Sequence, residues 1–96
     1  NLPNMARLPY ANGFTQDERR WLRELSVGFT KAMNATRSDR VAIVDLMCHA
    51  PIYQSSFYSS DGFHPNDAGY GAMADLVSAA IATTPAPPPA TCAFMS

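Results

Sequence analysis

The run Val41-Ala42-Ile43-Val44-Asp45-Leu46-Met47 constrains the fold more than any other stretch of the chain. Its first four residues are apolar without alternation, the pattern of a strand covered on both faces, as in a parallel sheet between helical layers. Such a strand must pair its amides and carbonyls with neighbours. No second run of comparable quality occurs in the sequence, so the expectation is an α/β fold of which this chain carries only a part. Composition agrees with a globular body, since 96 residues are 47% hydrophobic and 16% charged. A net charge of −1 without a basic cluster argues against nucleic acid as a partner. No apolar run approaches the roughly 20 residues that span a bilayer, so no transmembrane segment is expected. The sequence opens on Asn1 without an initiating Met or a signal peptide, as a processed or truncated product would.

Two helices are expected around that strand. Thr15-Gln16-Asp17-Glu18 is a capping box, in which the threonine oxygen accepts from the amide three residues on and Glu18 reaches back. The helix that follows places Leu22, Leu25, Phe29 and Met33, with Trp21 alongside, on one apolar stripe, and leaves Arg19, Arg20, Arg23, Glu24 and Lys31 as a solvated face. The second helix starts at Asn66, a good N-cap, with Asp67 at its positive end. Tyr70, Met73, Ala74, Val77 and Ile81 are its expected buried face, while Gly69, Gly71 and several alanines keep it thin enough to approach a sheet closely. From Thr83 the chain passes into Pro85-Ala86-Pro87-Pro88-Pro89, an extended stretch that ends the domain.

The chemistry lies between these helices, in Asp61-Gly62-Phe63-His64-Pro65-Asn66. Histidine takes and returns a proton near neutral pH. As a base it needs a carboxylate on its other ring nitrogen, to fix the tautomer and stabilise the imidazolium. Gly62 and Pro65 disfavour a helical course, so the segment is a loop. Such a loop can turn Asp61 back onto Nδ1 of His64 and leave Nε2 facing outward. The Ser- and aromatic-rich stretch from Cys48 to Ser60 precedes it. Tyr53, Phe57 and Tyr58 there either line an acyl pocket or anchor the loop to the body, the second being the better reading for a loop of this length. Cys48, His49, His64 and Cys92 show no metal-ligand spacing.

The run from Asp61 through Pro65 and Asn66 to Gly69 and Tyr70 resembles the D-x-x-H-P block of the SGNH (GDSL-type) serine hydrolases. The resemblance implies a three-layer α/β/α (flavodoxin-like) sandwich, incomplete without an N-terminal segment. It implies Asp61 as orienter and His64 as general base of a triad whose serine stands in a G-D-S motif elsewhere, and it implies no cofactor or metal. Residues 1–84 are then the C-terminal segment of the hydrolase domain and residues 85–96 a proline-rich tail. Asn1-Leu2-Pro3-Asn4 resembles the end of a family strand opening into a variable loop over Met5 to Phe14, or it is a disordered end.

None of the chain's serines stands in a G-D-S or G-x-S-x-G context, and no G-x-N-D supplies oxyanion donors. The chain alone is therefore expected to be inert, its partners being the N-terminal segment of the same hydrolase and a small ester or acylated carbohydrate. The alternative is a non-catalytic protein that binds carbohydrate or acylated glycan on the same fold. A third reading, a small module that folds by itself, predicts a cooperative melt of the isolated chain. Cys48 and Cys92 fit one disulfide, or either pairs with a cysteine outside the chain. Both versions favour a secreted or periplasmic location, and two free thiols in a cytosolic protein are the remaining option.

Overall fold

In the computed structural model, which describes all of Asn1–Ser96, residues 41–47 form no strand and the chain has no sheet. Its elements are two α-helices, α1 (Gln16–Asn34) and α2 (Asp67–Ala82), and short 3-10 turns at Met5–Arg7, Pro9–Gly13, Ala50–Tyr53, Ser55–Phe57 and Ala93–Met95. The expected α/β class, and with it the three-layer sandwich, is overturned. The Cα envelope is only 16 Å thick in its shortest direction. The outer layers of a sandwich stand about 20 Å apart at about 10 Å per packed layer, so three layers do not fit.

The physical reason is the missing ladder. Val41 makes one isolated bridge to Ser38 and Met47 already lies in a turn, and side chains take the place of a neighbouring strand. Asn1 Oδ1 accepts from the amides of Leu46 at 2.7 Å and Met47 at 3.0 Å, and Asp45 Oδ1 accepts from Cys48 at 3.1 Å. Ile43 and Met47 are buried, Val44, Asp45 and Leu46 are half-buried, and Val41 and Ala42 stay exposed, so the run is not enclosed throughout as a central strand would be.

The capping box forms as expected. Thr15 Oγ1 accepts from Glu18 N at 3.1 Å, and Glu18 Oε1 accepts from Thr15 N at 3.2 Å. Of the expected stripe on α1, Leu22 is buried and Leu25 and Met33 are half-buried, but Trp21 and Phe29 stand in solvent, and Ser26 and Thr30 complete the buried face instead. The small hydroxyl residues allow Leu2–Asn4 and the start of the Met5–Arg7 turn to lie against the helix. Ser26 Oγ accepts from Met5 N at 3.0 Å, while Thr30 Oγ1 accepts from Leu2 N at 3.3 Å and donates to Leu2 O at 3.0 Å.

The cap of α2 also forms, Asn66 Oδ1 accepting from Gly69 N at 3.0 Å. Gly69 is the helix's one buried residue, and a Cβ there would overlap the carbonyl oxygen of Phe57. The close approach expected of a thin helix is thus made to the Ser55–Phe57 turn and not to a sheet. Tyr70, Val77 and Ile81, expected to be buried, are exposed, because no layer lies beneath them. No helix is long and apolar enough to cross a membrane.

The C-terminal residues return to the body. Cys48 and Cys92 form a disulfide with a Cα separation of 5.9 Å, across 44 positions of sequence. Closing a loop of that length contributes about 4 kcal/mol by restricting the unfolded chain. An intramolecular disulfide is compatible with an extracellular location. Phe94 stacks on Tyr53 with ring centres 4.6 Å apart, and its carbonyl accepts from Asn4 Nδ2 at 2.7 Å. Tyr53 Oη donates to Met47 O at 2.6 Å and accepts from Asn4 N at 2.8 Å, and Tyr58 Oη donates to Ile52 O at 2.6 Å. Both tyrosines thus anchor the loop. Burial pushes the Tyr53 phenol up to about 12. Buried side-chain nitrogens and oxygens all have partners.

Candidate active site

The loop between the 3-10 turn at Ser55–Phe57 and α2 is shaped by its own backbone. Ser59 N donates to His64 O at 2.8 Å and Gly62 N to Ser59 O at 2.9 Å, closing a tight turn. Gly62 sits at its tip with φ of +72°, a left-handed conformation that glycine adopts without a Cβ penalty. A Cβ at this position would also stand 2.6 Å from Tyr10 N, where the Gly62 carbonyl accepts a hydrogen bond at 3.1 Å. Position 62 is therefore closed to other residues on two separate grounds.

This turn brings Asp61 and His64 together. Nδ1 of His64 lies 2.6 Å from Asp61 Oδ2, a short contact of the kind made by charge-assisted pairs. The other carboxylate oxygen, Oδ1, accepts from Ser59 Oγ at 2.7 Å, Phe63 N at 2.8 Å and His64 N at 2.9 Å. The His64 contact above all, then the amide of Phe63, the Ser59 hydroxyl and the amide of His64, hold the Asp61 carboxyl well below the usual carboxylate range. An ionised Asp61 can only accept, so the proton of the shared bond sits on Nδ1. In neutral His64 the lone pair is then on Nε2.

Exposure fits a base more than a structural tie. The side chains of His64 and Asp61 are 67% and 50% exposed, and ion pairs at that exposure stabilise a fold little. The imidazole makes no hydrogen bond other than that to Asp61. Phe63 meets it edge-on with ring centres 5.1 Å apart and in turn meets Tyr10 at 5.0 Å, which restricts the swing of the ring. Behind the loop, Asn66 Nδ2 donates to Ser56 O at 2.8 Å and Tyr58 O at 3.1 Å while its Oδ1 caps α2. One side chain thus fixes the loop's exit and the helix that follows. His64 borders a small apolar hollow formed with residues of the N-terminal stretch and α2.

Both residues singled out in the sequence are therefore in contact. The parts that prepare Asp61 were missed. Ser59, two positions before it, and the amides two and three positions after it follow a signal that was present, since aspartate before glycine favours a turn in which its own oxygen accepts from the following amides. The contribution of Tyr10, which binds the Gly62 carbonyl and props Phe63, has no sequence signal. No serine hydroxyl of the chain bonds to His64, and Ser59 spends its proton on Asp61. No group of three or more His, Cys, Asp or Glu side chains is arranged to hold a metal ion. Comparison with known proteins returns no match to any protein family, curated protein or solved structure.

Proposed function

We propose that Asp61 and His64 are the acid-base half of a Ser-His-Asp triad in an ester hydrolase of the SGNH type. The nucleophilic serine and oxyanion donors come from a segment of the same hydrolase outside Asn1–Ser96. The observation that carries this reading is the 2.6 Å contact between Nδ1 of an exposed imidazole and a carboxylate whose second oxygen already has its donors. A cap or a surface ion pair needs neither that saturation nor a free Nε2.

In the first half-reaction Nε2 takes the serine proton as the serine oxygen attacks the ester carbonyl, and returns it to the departing alkoxide, leaving an acyl-enzyme and an alcohol. In the second, Nε2 takes a proton from water as the hydroxide oxygen attacks the acyl carbon, and returns it to the serine oxygen as the acid leaves. Asp61 stays ionised throughout and stabilises the imidazolium. The substrate is a small ester or an acylated carbohydrate. The Cys48–Cys92 disulfide supports a secreted or periplasmic location.

A fluorophosphonate probe followed by peptide mapping tests the reading. The complete hydrolase is expected to carry the adduct on a serine outside these residues, and the 96-residue chain alone is expected to carry none. A folded, complete protein that resists the probe and cleaves no short acyl ester overturns it.

A further inference from the structure

The hollow beside His64 has a volume of about 190 Å³. Three parts of the chain converge on it: Leu2, Met5 and Leu8 from the N-terminal stretch, Phe63 and His64 from the catalytic loop, and Met73 from α2. Leu8 and Tyr58 are buried and form its floor, while Phe63 and His64 are exposed and form its rim. Tyr58 presents only its ring, because its hydroxyl is spent on the Ile52 carbonyl. Apart from the imidazole at the rim, the side chains of the wall therefore offer a ligand no free hydrogen-bonding group.

From this we infer that the hollow holds the acyl chain of the substrate and selects short aliphatic esters, of about four to six acyl carbons. The inference rests on the hydrolase reading above, which supplies the ester. An apolar cavity of about 150 Å³ holds a benzene molecule, so 190 Å³ holds a chain of comparable carbon count. A wall without free polar side chains takes hydrocarbon and leaves the carbonyl at the rim, on the side of the base. The methionines suit the purpose, since unbranched thioethers adjust to chains of different length. Once the hollow is full, further methylenes lie in solvent and contribute nothing.

Two measurements on the complete hydrolase separate this inference from the reading it rests on. The first is kcat/KM for a series of p-nitrophenyl esters from acetyl to decanoyl. It is expected to rise about threefold per methylene up to about six carbons and then to level. Met73→Trp, which narrows the hollow, is expected to cut the preference for hexanoyl over acetyl by about tenfold or more. The second is a titration of methyl-labelled methionine with hexanoate, in which the Met5 and Met73 methyl signals move while those of Met33, Met47 and Met95 stay. A rate that keeps rising to decanoyl, a rate that does not depend on chain length, or silent Met5 and Met73 signals overturn the acyl site and leave the hydrolase reading standing. Responsive Met5 and Met73 in a protein that cleaves no ester leave the hollow as an aliphatic binding site and overturn the hydrolase reading.

Discussion

The two helices are of similar length and both are capped by the residue before them, yet they hold the chain in opposite ways. The α1 helix buries Leu22, Ser26 and Thr30 and clasps residues 2–5 through two hydroxyl groups, and Asn4 of that clasped stretch in turn holds the disulfide-tethered tail through the Phe94 carbonyl. The α2 helix buries Gly69 alone and leaves Tyr70, Val77 and Ile81 in water. A local cap is enough to start a helix, but what the helix contributes depends on what lies against it. The Asp61–His64 loop stands between the two, tied to the clasped side through Gly62 and Tyr10 and to α2 through Asn66.

If the comparison holds, substitutions on the α1 side are costly and those on the outer face of α2 are not. The largest effect is expected from Cys48→Ser, which frees the tail and removes about 4 kcal/mol by chain entropy, read from denaturant unfolding. Thr30→Val comes next. It leaves the amide and carbonyl of Leu2 without their shared partner and should cost about 1–3 kcal/mol in the same measurement. A smaller loss should appear at alkaline pH. The Tyr53 phenol is raised in the folded chain, so its contribution is complete below pH 10 and lost as the pH climbs from there to about 12, moderated by its half-exposed setting. Ile81→Ser, at a side chain 82% exposed on α2, should change stability by no more than about 0.5 kcal/mol. A loss at Ile81 as large as that at Thr30 would break the distinction between the helices.

What the sequence made legible follows the same division. The capping box at Thr15, the cap at Asn66 and the Asp61–His64 contact were readable because each is made by residues within a few positions of one another. The expected strand at Val41–Met47 was a statement about neighbours, and in this chain Asn1 and Asp45 side chains meet its last amides instead. The stripe on α1 held at Leu22 and failed at Trp21 and Phe29 for a related reason. Periodicity marked Trp21 and Phe29 as buried, but an extended segment with its own polar backbone lay down where serine and threonine could bond to it. Hydrophobic spacing identifies a face able to be covered, not the face that is.

Replacing His64 tests the central assignment most directly. Its side chain is mostly exposed and makes a single hydrogen bond, so His64→Ala should leave the unfolding midpoint nearly unchanged. In the complete hydrolase proposed above, His64→Ala should lower kcat/KM for a short acyl ester by about three orders of magnitude or more, and Asp61→Asn should lower it less. A His64→Ala protein that turns over the ester at the wild-type rate would contradict the account.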